Sequence, residues 1–335
     1  MYRVSGKDFY FPLVIGLLKI SRRFPLRLRR VIIRIVAMAA YLVSRRKRRL
    51  IARALDAAFR DELSAIQKRN IAQGAFYQFW RETFWMAPST AESARIRTMS
   101  LRGEEHLRTA LSRGKGVILM ESNGFGSRVL ARRILHAHGY ALCQVHGRRH
   151  LGSGFVVREQ RNWATRRLAK FFEACEMEFL AEIVYLPDSD SLAFTRVLLD
   201  RLKRNSLICI AGEGRHSRRL IELPFLGIED TFSTGMINLA RTSGATILPL
   251  FCIRNTNGDI EAILESPVSV DSSVGREAGL IAGVREYVSV LERYCRNYPE
   301  QYYAWSGLAD FRERSQAGGG GRDAETTPNT IAPGY

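Results

Sequence analysis

From about residue 99 to residue 297, short apolar runs alternate with helix-length amphipathic stretches. The runs are Val117–Glu121, Ala141–Val145, Ile183–Leu186, Leu207–Ala211, Ile247–Ile253 and Ile260–Leu264, with helical patterns near 126–138, 155–176, 190–204, 234–243 and 276–297. Strands that are apolar throughout need cover on both faces, and helices between them supply it. The alternation therefore predicts an α/β fold, a central sheet with helices on both faces. In such sheets, ligands bind beyond the carboxyl ends of the strands.

The chain before this region has a different character. Residues 1–60 carry 16 Lys/Arg against 2 Asp/Glu, +14 of the whole chain's +18, so the rest is nearly balanced. The arginines interrupt apolar runs: FYFPLVIGLLKI (9–20), SRRFPLRLRR (21–30), VIIRIVAMAAYLVS (31–44) and RRKRR (45–49). Neither long run reaches the roughly 18–20 apolar residues of a membrane span. A cleaved signal peptide fits poorly, because a basic helix follows where a small-residue cleavage site belongs. Amphipathic helices lying on anionic lipid fit the pattern, each Lys/Arg near the surface contributing about 1 kcal/mol. A nucleic-acid arm would be poorer in Phe, Leu, Ile and Val, so nucleic acid is the weaker candidate partner.

Four segments are expected: a basic amphipathic membrane-interface segment (1–49), a helical membrane-proximal region (50–98) broken at 60–63, an α/β domain (99–312), and a disordered tail (313–335) rich in Gly, Thr and Pro. Cys143, Cys175, Cys209, Cys252 and Cys295 are odd in number and widely spaced, with no CxxC. That argues against a disulfide framework and a structural zinc site and suits a cytosol-facing protein.

Two stretches can carry chemistry. MESNGFGSR (120–128) joins an apolar run to a helical one, so Ser122, Asn123, Gly124, Phe125 and Gly126 form a turn lining the carboxyl edge. ICIAGEGRHSRRLIELPFLG (208–227) ends another run in Gly212-Glu213-Gly214-Arg215. Small residues there let a ligand approach the backbone, and Arg215 can grip a phosphate with two parallel hydrogen bonds. Glu213 can orient that arginine or accept a bond from an acceptor hydroxyl. A plain β-turn with one exposed ion pair also accounts for the tetrapeptide.

In context these blocks resemble the bacterial lipid A late acyltransferases (lauroyl and myristoyl transferases) of the glycerolipid acyltransferase superfamily. RRKRRLIARALDAAF resembles the family's membrane-proximal helix, and residues 114–142 its catalytic strand–turn–helix. AGEGRHSRRLIELPFLG resembles its phosphate-binding block, in which Glu213, Gly214 and Arg215 match although a threonine before the arginine is missing. Residues 231–251 resemble the next helix and strand, and PEQYYAW (299–305) the closing segment. The likeness spans roughly residues 10–310. It implies a glycerolipid-acyltransferase-like fold with a mixed central sheet. It also implies an acyl carrier protein or coenzyme A thioester as donor substrate and no other cofactor. The acceptor would be a hydroxyl on a phosphorylated glycolipid or lysolipid, and the location the cytoplasmic face of the inner (plasma) membrane, peripheral or monotopic.

The resemblance also implies a catalytic His with an acidic residue five positions on, the His taking the acceptor's proton. This sequence has Gly124 at the His position and Val129 at the acid position, and none of its six histidines is followed by such an acid. Glu121, Glu213 and His146 are the candidates for a substitute base, the two carboxylates being expected at strand ends facing one cleft. A capping or ion-pair role is the commoner explanation for a residue placed like Glu121, and a solvated loop for His146. Arg128, just before the lost acid, can add a cation to the cleft, and Arg218 and Arg219 can face lipid head groups or an acidic carrier. An acyltransferase with a substituted base, and a homologue that binds lipid or carrier without transfer, both remain open.

Overall fold

The computed structural model describes residues 6–147, 150–151, 155–156, 163–186, 192–213, 219–270 and 273–308. Five helices come first: α1 (Gly6–Ser21), α2 (Leu26–Val43), α3 (Arg45–Phe59), α4 (Ala65–Trp85) and the short α5 (Thr90–Ile96). The expected break at 60–63 falls between α3 and α4. Ser64 and Ser89 start α4 and α5 through capping boxes, in which each serine hydroxyl accepts the N–H of Gln67 or Glu92 and that side chain accepts the serine's N–H.

The alternating region follows, as β1 (Ser100–Arg102), α6 (Glu104–Ser112), β2 (Val117–Glu121), α7 (Arg128–Ala137) and β3 (Leu142–Gly147). Next come β4 (His150–Leu151), β5 (Phe155–Val156), α8 (Trp163–Glu176), β6 (Glu182–Leu186), α9 (Leu192–Lys203) and β7 (Leu207–Ala211). The chain continues through β8 (Leu220–Phe225), β9 (Ile228–Ser233), α10 (Gly235–Ser243), β10 (Thr246–Arg254), β11 (Ile260–Leu264) and α11 (Arg276–Asn297), closing with a 3-10 turn at Pro299–Gln301.

Among the described residues, seven strands form the central sheet in the order β1-β11-β10-β2-β7-β3-β6. All neighbours run parallel except β10 and β11, so the sheet is mixed and mostly parallel. Every residue of β2 is buried, as its unbroken apolar run requires at the centre of a sheet covered on both sides. Alternate residues meet different helices. Glu121 points to Arg132 of α7, and a Cβ at Gly116 would meet Leu202 of α9. Gly212, after β7, lies against Tyr287 of α11.

Three details depart from the pattern. β1 is too short to show a period. Within the helix expected over 155–176, Trp163–Glu176 is helical, whereas Phe155–Val156 is extended and pairs with His150–Leu151. β8 and β9 form a separate hairpin turned by Leu226 and Gly227, at φ 53° and 73°. Positive φ at both positions matches the right-handed twist of the flanking strands. The hairpin tip docks on α3, where a Cβ on Gly227 would stand 2.4 Å from the Ala57 carbonyl oxygen.

The N-terminal helices are held to the body by a buried cation. Arg29 of α2 has no exposed surface; its Nη2 donates to the carbonyls of Phe84 (2.6 Å) and Ala87 (2.7 Å), and its Nε lies 3.0 Å from Glu92. The opposite side of α2 exposes Leu28, Val31, Ile35, Met38 and Leu42. Spacings of three and four put these on one stripe, with Arg27, Arg30 and Arg34 on the neighbouring one. Among the described residues, no helix is long and apolar enough to cross a membrane.

Candidate active site

The turn between β2 and α7 sits at the carboxyl edge, beside the chain leaving β7. It is braced from three directions. From the β7 side, Glu213 accepts the Ser122 hydroxyl at 2.6 Å and the Asn123 N–H at 3.0 Å on both carboxylate oxygens. From α4, Gln78 donates to the Gly126 carbonyl at 2.6 Å, and one helical turn on, Glu82 accepts the Val129 N–H at 3.0 Å and the Ser127 hydroxyl. From the C-terminal segment, Tyr303 N–H donates to Gly124 O at 2.7 Å, and Gly126 N–H to Gln301 O at 3.0 Å.

Gly126 has φ 62°, and a Cβ there would stand 2.2 Å from the Cys252 carbonyl oxygen. Only glycine meets both conditions. Gly124 is closed differently: a Cβ there would fall 2.2 Å from the Ala304 Cβ and 2.8 Å from a Tyr302 ring carbon. The position of the expected histidine is thus filled by the closing segment as well as lacking the residue. Ala304 cannot yield by rotating a side chain.

Glu82 is fully buried, and burial raises its carboxyl above the usual carboxylate range, although Ser127, Val129, Arg128 and Arg132 pull it down. With Val129 at the expected acid position, the carboxylate at this helix start comes from α4. The sequence reading missed Glu82; its trace is an acid inside the aromatic run FWRETFW.

A second polar cluster lies on the α7 side of the sheet. Gln144, Cys209 and Leu119 are level across β3, β7 and β2. Two residues on, His146 and Glu121 reach the carboxyl edge, two strand spacings or about 10 Å apart. Arg132 bridges the gap: its Nε is 3.1 Å from Glu121 and its Nη1 3.5 Å from Glu176 of α8, which approaches His146 Nε2 at 3.0 Å. All four side chains are more than 90% buried. Although burial opposes its charge, Glu176 is held below the usual carboxylate range by His146 and Arg132. Arg132 and Glu176 were also missed; both are charges on the buried faces of amphipathic helices.

Two expectations change. Glu121 and Glu213 do not face one cleft: Glu121 turns beneath the sheet edge to Arg132, while Glu213 holds the turn through Ser122 and Asn123. The cause is that β7 ends at Ala211, level with Glu121, and the chain bends at Gly212 and Glu213, so Glu213 does not continue the strand's alternation. His146 is buried in β3 and not in a solvated loop. Arg128 donates to Asn123 Oδ1 across the mouth of the turn, half-exposed. Gly214, Arg215 and Arg218 lie outside the described residues, as does the tail at 313–335. The five cysteines are free and buried, and no group of metal-ligating residues occurs among the described residues.

A family model of the bacterial lipid A biosynthesis acyltransferases matches residues 6–305. The chain belongs to this family. The match takes in the N-terminal helices and ends at Trp305, next to the Ala304 that packs on Gly124. Phosphatidylinositol mannoside acyltransferase of Mycobacterium tuberculosis, from strain CDC 1551 / Oshkosh and from strain ATCC 25618 / H37Rv, is 25% identical over 207 residues. The aligned part is 57% of this chain and 60% of the relative, so the chain spans less than two thirds of the length of the curated relatives it matches.

Proposed function

We propose that this acyltransferase-family protein transfers a fatty acyl group from an acyl thioester, of acyl carrier protein or coenzyme A, to a hydroxyl of a phosphorylated glycolipid or lysolipid. The observation that carries the reading is the braced turn at the carboxyl edge, kept within a family match from residue 6 to 305. Glu213 and Glu82 hold the two ends of the turn, so its geometry is set before any substrate arrives. Arg128, with Gly214 and Arg215 from the matched block, supplies the phosphate and acceptor site in this reading.

The reaction takes place at the cytoplasmic face of the inner membrane, with the protein peripheral or monotopic. Support comes from α2, whose outer apolar stripe is bordered by Arg27, Arg30 and Arg34. Such a pair of stripes suits acyl chains below and lipid phosphates beside them.

One observation favours a second reading. The Ala304 side chain stands where a histidine side chain would leave the turn, which suits a homologue that binds lipid or carrier without transfer. Mass-spectrometric lipid profiles of host cells with and without the gene separate the two. A lipid one acyl chain longer, appearing only with the gene, supports transfer; no difference at good expression refutes it. For the membrane site, Ile35→Glu with Leu42→Glu should abolish flotation with anionic vesicles, and retained flotation would exclude the α2 stripe.

A further inference from the structure

We infer that His146, oriented by Glu176, is the general base that replaces the missing histidine, and this inference rests on the acyl-transfer reading.

Position, contact and the charge of the surrounding cluster lead there. His146 lies at the carboxyl edge, where this fold class places its chemistry. Its Nε2 stands 3.0 Å from a Glu176 oxygen. That contact leaves Nδ1 as the nitrogen able to receive a proton. A histidine base requires a carboxylate on one ring nitrogen and an open second one, and His146 Nδ1 has no hydrogen-bond partner among the described residues.

The cluster behind the ring is charged in the useful direction. Among the described residues, Arg132 is the buried guanidinium that bridges Glu121 and Glu176, so the three carry a formal net charge of one negative beside a neutral imidazole. Proton uptake by His146 brings the cluster to neutrality, which stabilises the imidazolium as it forms. Arg128 adds a more distant positive charge from α7, and the Tyr185 ring of β6 lies 6.5 Å from the imidazole at a tilt of 31°.

The cluster is also incompletely satisfied. Arg132 Nη2, both oxygens of Glu121 and Gln144 Oε1 are buried without an aligned hydrogen bond among the described residues. A network serving stability alone is costly in that state, and replacing buried ion pairs by apolar side chains is often neutral or stabilising. Poised catalytic groups in a ligand-free site account for it, since their hydrogen bonds often tighten only around substrate.

In the step itself, the acceptor hydroxyl gives its proton to His146 Nδ1 while its oxygen forms the new ester bond to the acyl carbon. The carbon–sulfur bond breaks, and the imidazolium returns the proton to the leaving thiolate. Thioester and alcohol become ester and thiol, with no other reactant.

The test uses the full chain in anionic vesicles, with lauroyl-coenzyme A as donor and water or glycerol as stand-in acceptor, and reads thiol release. His146→Ala should lower the rate 10²–10⁴-fold, the usual loss for a general base. Added imidazole should restore part of that loss in His146→Ala, an effect that a structural role does not produce. Glu176→Gln, nearly isosteric, should fold and shift the alkaline-rising pH profile to lower pH, because the imidazolium loses its counter-charge. Release unchanged in a folded His146→Ala or His146→Gln overturns the inference and leaves acyl transfer standing. A large loss without imidazole rescue and without a profile shift in Glu176→Gln also overturns it. No release by the wild type, together with unchanged cellular lipids, overturns the inference and the transfer reading together.

Discussion

The carboxylate of Glu82 accepts the backbone N–H of Val129 at 3.0 Å, tying α4 to the first turn of α7 across 47 positions of sequence. Burial holds this carboxyl above its ordinary range. A raised folded-state value means that the stabilising contribution is complete below the unfolded value and is lost as pH rises through the folded one. Glu82→Gln should therefore flatten stability against pH above the acid range in urea melts at several pH values. Glu82→Ala should cost about 1–3 kcal/mol at all of them, because the Ser127 hydroxyl and the Val129 N–H lose their acceptor. An unchanged pH slope in Glu82→Gln would show that the carboxyl does not titrate anomalously.

Restoring the family residue should not restore the family site. Gly124→His places a Cβ against Ala304, whose side chain cannot rotate away. Overpacking of this kind costs about 1–3 kcal/mol. The variant should melt lower and gain no thiol release, and Gly124→His with Ala304→Gly should recover part of the stability. A Gly124→His protein as stable as the wild type would show that the closing segment moves freely.

Lys47 presents a different titration. Its Nζ lies 4.7 and 4.8 Å from the ring centroids of Phe76 and Phe79, and burial brings the amine down to about 8. A depressed folded-state value means that the stability contribution is present above the unfolded value, near 10.5, and is lost as pH falls through 8. Lys47→Met should raise the melting temperature at pH 7 and remove the rise in stability from pH 8 to 10. Melting curves across that range provide the check, and an unaltered rise would assign it to another group.

The α/β region was legible because its signals are local. β2, β7 and β11 fall on their apolar runs without displacement, and the break between α3 and α4 sits where Arg60-Asp61-Glu62 interrupts the helical period. The turn at 122–126 was legible for the same reason. Its bracing was not, because Glu82, Gln78 and Tyr303 meet it only through tertiary packing. The two carboxylates were placed on one cleft because the sequence does not show where a strand stops: β7 ends at Ala211, and the bend at Gly212 turns Glu213 away from the face that Glu121 shares. Arg132 and Glu176 looked like ordinary helix charges until both proved buried against Glu121 and His146.

Removing the buried cation of α2 should loosen the N-terminal helices. Arg29→Met leaves Glu92 and two carbonyls without their donor, and breaking a buried pair costs about 3–5 kcal/mol. Hydrogen exchange should rise across α2 and the 84–92 stretch while β2 and β10 stay protected. Equal loosening of the sheet would show that the helices and the body unfold as one unit.

The segment that closes over Gly124 has a bearing on synthesis. During translation β2 emerges long before its neighbour β10, and the turn beyond it emerges before Gln301, Tyr303 and Ala304. Since domains fold largely as units during synthesis, a growing chain exposes this turn unlatched. Only a chain extended through its closing segment can lock it, so truncated products, with the sheet still missing strands and the turn its latch, are the species that chaperones and proteases would recognise.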